Sequence, residues 1–445
     1  MTTTTNSSLV IGPDDYISNR EATLLGLQHV LAMDVYVPPI ILAGAMMMGS
    51  ADATGLLQST FLAAGIGTLI QTLWMMKMPV SQGPSFVPLG AAAGIVAAIG
   101  GLAHGGMATL IGALLIGALA LMILGATGIF QKIINRLVPA VVGGTIITCV
   151  GLSLIPSALN DNVFLASGNV YTNMLLASVT AATMLVCVAL SIRFPRVQKL
   201  FKTSSIVIAL LVGTVVSNFL GIFDWQSVVQ APWVGLPSRT VLHWGIHFDG
   251  AAILTMLVIY AILTTETTGT WFAMGAVTNH EITPRQWNRG IIGEGLSCLV
   301  AALTGTTPVT GYSTNAGIIS ITGVASKRVF VAASIWFIVL GFFTKLSALL
   351  AAIPAAVIGG FFAIITVTIM LNGLNVIRRT ETGESDLYII GIPIVLTMAM
   401  ILLPTKIVHQ APQMVQYLLG SPIAVAAFTA IILNLLMPSR PKAWA

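Results

Sequence analysis

Among the fourteen acidic residues of this 445-residue chain, Asp34 and Glu266 fall deep inside long apolar runs. A carboxylate surrounded by hydrocarbon costs a few kcal/mol or more, so such a residue is a functional candidate from the outset. Glu266 lies in "LTTETTGTWF". Thr270 follows four residues later and shares its helix face, and Gly269 lets another backbone come close. A carboxylate so placed accepts hydrogen bonds from ligand N–H groups, and in apolar surroundings a carboxyl group also serves as a proton carrier. The structural alternative is an acid bonded only to neighbouring threonines. Asp34 lies in "GLQHVLAMDVYVPP", where Pro38 and Pro39 free backbone groups. It reads equally as a brace for an irregular helix and as a proton-coupling residue. His29 is a second coupling candidate, but it does not share a helix face with Asp34, and like Gln28 it reads first as a structural hydrogen-bonding group. Glu294, in "GEGL", reads as a brace at the start of its segment.

Other chemistries are missing from the pattern. The chain has no phosphate-binding loop, no His/Cys cluster with ligand spacing and no nucleophile–base–acid arrangement. No catalytic residue, metal or cofactor is therefore expected, and an ATP-driven pump is excluded on this chain alone. Cys149, Cys187 and Cys298 all sit in apolar runs and read as core packing. Basic residues are dispersed rather than clustered, so the net charge of +5 does not point to nucleic acid.

The elements that position these acids are membrane spans. The chain is 56% hydrophobic and 7% charged, with mean hydropathy +0.95, against about 25% charged residues in soluble domains. Apolar segments fall near 23–48, 53–76, 85–102, 106–130, 137–157, 173–192, 204–222, 250–275, 289–304, 309–325, 328–349, 353–376, 387–404 and 418–437. If all cross and the N-terminus is cytoplasmic, all but Arg239, Lys345 and Lys406 of the nineteen Lys and Arg residues lie inside. Both termini are then cytoplasmic. The N-terminal stretch lacks a basic region followed by an apolar one, so no cleaved signal is expected.

Two of these segments are poor helices. "PVSQGPS" (79–85) and "PVTGYST" (308–314) echo each other, as do "VPAVVGG" (138–144) and "IPAAVIGG" (353–360), at offsets of about 229 and 215 residues. Repeats of seven spans run inverted, and inverted repeats mark secondary transporters with a mid-membrane site at interrupted helices. Irregular backbone at that depth is tolerated only where it is buried or lines a cavity. Segments 79–90 and 307–317 are therefore expected to open with an extended stretch, continue as half helices, and offer free backbone groups and two helix N-termini to a polar ligand.

These motifs together resemble the nucleobase–ascorbate transporter family, the xanthine/uracil permeases, nearly end to end. "GLQHVLAM" is similar to the family's first helix, "QGPSF" to its third, "ETTG" to the Glu motif of its eighth and "GEGL" to its ninth. "TNAGIISITG" (314–323) is similar to its signature, with Asn315, Gly317, Thr322 and Gly323 in the signature places. The resemblance implies an all-α polytopic fold of fourteen transmembrane segments in a seven-plus-seven inverted repeat. It divides the chain into a cytoplasmic tail (1–22), core (23–130), gate (131–248), core (249–349), gate (350–437) and a second cytoplasmic tail (438–445). Carried over, Glu266 binds the base, Phe86 contributes backbone and ring contacts, Tyr312, Ser313 and Thr314 line the tenth-span side, and Asn315 holds the loop. Thr314 stands where the family usually has Gln or Glu, and Thr270 where it often has Asp or His.

The expected function is cation-coupled, proton-driven symport of a nucleobase by alternating access, a purine such as xanthine, urate, hypoxanthine or guanine being favoured over uracil. The expected setting is a bacterial inner membrane, with lipid as solvent and a homodimer as the assembly the family suggests. Rival readings are an anion carrier on a similar fold and a membrane receptor without transport.

Overall fold

The computed structural model describes residues 9–130, 136–137, 139–194, 198–312, 314–378, 380, 382–404 and 422–437. The first apolar segment is not one helix. α1 (Asn19–Ala32) is capped by the Ser18 hydroxyl, which accepts from the Glu21 N–H at 3.3 Å, and it stops at Met33. After an irregular stretch, α2 (Val37–Ala45) starts on Pro38 and Pro39, which fit a first turn because their missing N–H groups would be unpaired there anyway. α3 (Ser50–Leu69) runs on as a π-helical turn, Ile70–Met75. β1 (Gln82–Pro84) and α4 (Leu89–Ala98) follow, then α5 (Gly106–Ala126).

α6 (Ala140–Ser153) continues into a π-helical turn at Ser157–Phe164, and α7 (Val170–Arg193) and α8 (Gln198–Phe219) come next. Two short helices, α9 (Trp225–Gln230) and α10 (Val241–Trp244), lead to α11 (Gly250–Thr278). α12 (Pro284–Thr304) opens with a reciprocal cap in which the Thr283 hydroxyl and Gln286 amide each accept the other's backbone N–H. β2 (Val309–Gly311) and α13 (Thr314–Thr322) follow. α14 (Lys327–Phe342) bends by 75° into α15 (Thr344–Ala351). α16 (Ala355–Arg378), α17 (Glu384–Leu402) and α18 (Pro422–Leu436) complete the described chain.

Seven helices among the described residues are long and apolar enough to cross a membrane, eight if α14 and α15 form one bent span. α3 and α12 run antiparallel. At one end the Gln286 amide donates to Met76 O at 3.3 Å; further along, Thr60 and Thr306 hydroxyls pair at 2.6 Å. Arg289 and Lys77 share the first end, where Arg289 donates to Trp74 O at 2.5 Å. Arg239 and Lys345 lie at the other, Arg239 paired with Asp52 at 2.6 Å and Lys345 donating to Val229 O at 3.2 Å and Ala231 O at 3.3 Å. This separation follows the charge asymmetry of the sequence; Lys406 lies outside the described residues.

The two echoed motifs open α6 and α16, and these helices pack antiparallel. Gly144 meets Gly373 and Ile377, and Gly151 meets Thr366 and Met370. Lipid tails are as apolar as leucine, so close packing of small residues drives such pairing. A Cβ on Gly373 would overlap the backbone of Gly144 and Thr148, whereas one on Gly391 in α17 meets nothing within 4 Å. Gly373→Ala should therefore destabilise the detergent-purified protein by roughly 1–3 kcal/mol, the usual scale of overpacking, and Gly391→Ala should not. Thermal unfolding of both variants checks this; equal midpoints would contradict the packing assignment.

Candidate functional site

Two interrupted segments meet as a ribbon. β1 and β2 pair antiparallel with Gln82 opposite Gly311, Gly83 opposite Thr310 and Pro84 opposite Val309. The pairing extends one step each way, Ser85 N–H donating to Pro308 O at 3.1 Å and Tyr312 N–H to Ser81 O at 3.0 Å. Because the strands are antiparallel, α4 and α13 leave from opposite ends of the ribbon, each starting in the interior of the protein.

A two-stranded ribbon leaves outward-facing backbone groups that need partners. Side chains from three surrounding helices supply them. The Gln82 N–H donates to Thr68 Oγ1 at 2.9 Å, Thr270 Oγ1 donates to Gly311 O at 2.9 Å, and the Cys298 thiol donates to Val309 O at 3.2 Å. Pro84 has no N–H to satisfy, and its carbonyl accepts the Tyr312 hydroxyl at 2.9 Å. The Tyr312 ring crosses the ribbon over Gly83, where a Cβ would come within 2.6 Å of it. Glycine at 83 is thus required by Tyr312, and proline at 84 fits a strand edge.

Glu294 is fully buried under this ribbon. Thr310 and Thr267 hydroxyls hydrogen-bond to each other, and Thr267 also donates to Glu294 Oε1. The Gln71 amide donates to Glu294 Oε2 at 3.4 Å and to Gly290 O at 2.9 Å. One acid thereby joins α11, α12, β2 and the π-helical turn after α3. The expected role of Glu294 as a brace describes its geometry, although it braces the ribbon rather than the start of a helix.

Glu266 has different surroundings. The Ser85 hydroxyl donates to its Oε2 at 2.6 Å, and Ser85 Oγ in turn accepts the Val87 N–H at 3.0 Å, so the last residue of the "QGPS" motif links α11 to the entry of α4. Glu266, Phe86, Tyr312 and Asp34 keep partial exposure, and Thr314, at the start of α13, is exposed. A Cβ on Gly90 or Gly269 would meet nothing within 4 Å, so open space borders α4 and α11 here. The Phe86 ring stacks on Phe362 of α16 with centroids 6.2 Å apart and planes 19° from parallel. Thr270 turns to the Gly311 carbonyl and is buried.

Asn315 and His29 form a buried pair, Oδ1 to Nδ1 at 2.9 Å, and the Asn315 amide also donates to the Met33 sulfur at 3.2 Å. His29 and Asn315 therefore hold the first turn of α13 against the end of α1. Asp34 occupies the irregular stretch between α1 and α2, and Gln28 lies partly buried on α1. Thr322 accepts the Val324 N–H at 3.3 Å at the end of α13, which also contains Gly317. Ser313 lies outside the described residues. Ser85, Thr267, Thr310, Gln71 and Phe362 were not singled out from sequence. Ser85 sat within a quoted motif, and Gln71 was legible as a lone amide in an apolar run. No signal marked Phe362.

The family model described as "Permease family" (Xan_ur_permease) matches residues 20–406. The chain belongs to this permease family. It is a multi-pass membrane transporter and not an enzyme. Relatives of the permease include the xanthine permease of Bacillus subtilis, 28% identical over 94% of each chain. Uric acid permease PucK of the same organism is 28% identical over 92% of this chain and 94% of its own. Xanthine permease XanP of Escherichia coli is 27% identical over 99% and 96%. Among solved structures, the transmembrane domain of the cyanobacterial bicarbonate transporter BicA superposes with TM-score 0.58 at 16% identity, covering 96% of the permease and all of that domain. SLC26A9 superposes with TM-score 0.63 at 12% identity, covering 93% and 65%. At these identities the likeness establishes the fold of the permease and nothing about its cargo.

The Glu294 hub carries the prediction of this site. Glu294→Leu leaves several buried hydroxyl and amide groups without an acceptor and should cost roughly 2–4 kcal/mol, with Glu294→Gln costing less because one oxygen remains. Thermal unfolding in detergent measures both. A leucine variant as stable as the parent would remove the bracing role.

Proposed function

We propose that the permease imports a nucleobase, a purine such as xanthine, urate, hypoxanthine or guanine in preference to uracil, by symport with a cation, in the first instance a proton. The reading is carried by one observation: the Glu266 carboxylate, which accepts the Ser85 hydroxyl at 2.6 Å, stands partly exposed beside a ribbon from which two half helices start. Flat heteroaromatic bases carry donors and acceptors on the rim and two stacking faces. A carboxylate and the backbone near Phe86 and Tyr312 suit the rim, and the Phe86 ring suits a face. The relatives named as xanthine and uric acid permeases support the same class.

In this reading fourteen spans form a seven-plus-seven inverted repeat. Segments 23–130 and 249–349 are the core, and 131–248 and 350–437 the gate, with cytoplasmic tails at 1–22 and 438–445 in a bacterial inner membrane. The base lies between core and gate, where Phe86 meets Phe362. Tyr312, Ser313 and Thr314 line the second-repeat side, with Asn315 and His29 fixing it. Thr270 acts through Gly311 and sets the position of β2. Protonated Glu266 favours the loaded state, and its deprotonation inside favours release, as the core slides against the gate. The resemblance also implies a homodimer. A facing pair of helix N-termini would suit an anion, but Glu266 beside them opposes one.

Glu266→Gln should abolish most accumulation of radiolabelled purine in proteoliposomes and flatten what pH dependence remains. Ser85→Ala, which removes one partner of the acid, should lower uptake several-fold while leaving a pH dependence. Unchanged uptake and pH profile in Glu266→Gln would contradict the assigned role, and accumulation of no base under any ion gradient would favour a receptor.

A further inference from the structure

The connection between α8 and α11, residues 220–249, changes partners part-way along. Its first part belongs to α8. Ile222 N–H donates to Ser217 O at 3.0 Å, and the Trp225 indole N–H donates to Asn218 Oδ1 at 2.6 Å. From Val229 onward the bonds go elsewhere. Lys345 of α15 donates to the Val229 and Ala231 carbonyls and stands 5.1 Å from the centroid of the Trp233 ring. That ring stacks on Phe343 with centroids 5.9 Å apart and planes 14° from parallel. Gly235 N–H donates to Phe342 O at 3.0 Å, and the Gly235 carbonyl accepts the Gln58 amide of α3 at 3.1 Å. The Arg239 side chain, paired with Asp52, lies across Gly55, where a Cβ would come within 2.2 Å of it. The Arg239 carbonyl lies against Gly305 at the end of α12, where a Cβ would come within 2.1 Å. His247 N–H donates to Ala108 O of α5 at 3.0 Å.

The partners of residues 229–247 are thus α3, α5, α12, α14, α15 and the turn between the last two. All lie in the two segments read above as core, and none of these bonds reaches a gate helix. Sliding the connection past them would break the whole set in every cycle and leave carbonyls without donors. The close approach at Gly55 and Gly305 makes the seat a packed one, and packed contacts hold one arrangement rather than deform continuously. A different contact joins the two bodies. Gly44 of α2 faces the π-helical turn after α6, where a Cβ would lie 3.2 Å from Asn162 Oδ1.

Resting on the sliding core and gate of the nucleobase reading, we infer that residues 229–247 travel with the core as a cap fastened across one end of it, and that α9 is the hinge between the bodies. The gate then ends within α9 rather than at 248. Trp225, the first residue of this six-residue helix, is held by α8, and Val229, its fifth, by α15. The change of position between core and gate is absorbed there, while the cap keeps the ends of α3, α12 and α14 together.

Cross-linking in proteoliposomes that exchange radiolabelled purine tests this. A Cβ at position 235 would lie 3.9 Å from Thr344 Cβ, within disulfide range. The full-length Gly235→Cys, Thr344→Cys variant should form that disulfide completely, at the same rate with and without saturating purine, and keep exchange within about threefold of its reduced form. A larger loss on oxidation that reductant reverses would overturn the inference, as would incomplete formation or a rate that follows purine. Asp52→Cys with Arg239→Cys, joined by a short thiol-bridging reagent, decides by the same criteria should the first pair not fold. Bridging Gly44→Cys to Asn162→Cys should instead stop exchange by about tenfold or more until reduced. Exchange that persists across that second bridge would remove the sliding of core against gate and the inference with it. Failure of the wild type to exchange any purine or pyrimidine would remove the nucleobase reading on which both rest.

Discussion

Three residues of β1 and three of β2 have to satisfy their backbone hydrogen bonds inside a protein whose surroundings are hydrocarbon. Everything around them follows from that demand. Pairing the strands satisfies the inner groups. The outer groups need donors and acceptors at fixed heights, and Thr68, Thr270 and Cys298 provide them from three different helices. Helices that would otherwise be uniformly apolar thus carry polar residues where they face the ribbon. Interrupting two spans at one depth also means that α4 and α13 begin inside the protein, with the first N–H groups of each helix left for something other than its own carbonyls.

The two acids of α11 and α12 show how surroundings divide one side chain into two roles. Glu294 is held by Thr267 and Gln71, with Thr310 relayed through Thr267, and it is fully buried. Both its oxygens accept a bond, so it acts as a fixed acceptor whose removal strands its neighbours. Among the described residues Glu266 has one short bond, and it keeps an open side. A carboxylate held from one direction is oriented and still has lone pairs for an incoming donor. The "GEGL" motif reflects the first case, since Gly293 and Gly295 on either side of Glu294 let the π-helical turn after α3 and α5 close around it.

Much of this was readable from residue types and little of it from periodicity. Gly and Pro at 83–84 and 308–311, set among hydroxyl residues, announced interrupted spans because no ordinary span tolerates that mixture. Glu266 announced itself by its cost. The register of β1 on β2 was not legible, since it joins residues more than two hundred positions apart and depends on where α3, α11 and α12 sit. The same holds for the Ser85–Glu266 bond and for Phe362, whose part of the helix, 355–365, is apolar all round and gives no sign of which face meets Phe86. Read as one segment, 23–48 hid the break at Met33 because Pro38 and Pro39 mark the start of the next helix rather than the end of the last. Thr270 shares a helix face with Glu266 as the spacing required, yet its hydroxyl goes to Gly311, because a buried strand carbonyl is a more demanding partner than open space.

The fold by itself is silent on cargo, since its architecture also occurs in a bicarbonate transporter. Two interior helix N-termini form a positive locus, and with no carboxylate nearby that locus suits an anion. Adding one carboxylate brings the local charge near zero and replaces attraction for charge with directional hydrogen bonding, which suits a neutral ring with a patterned rim. In the permease that carboxylate is one side chain, Glu266 on α11, bonded to Ser85 at the entry of α4. In the proposed reading the discriminating side chain sits on the flanking helix α11, while the ribbon supplies the same backbone groups whatever is carried. A change of cargo in this fold is accordingly sought in the charge around the two N-termini before it is sought in the shape of the spans.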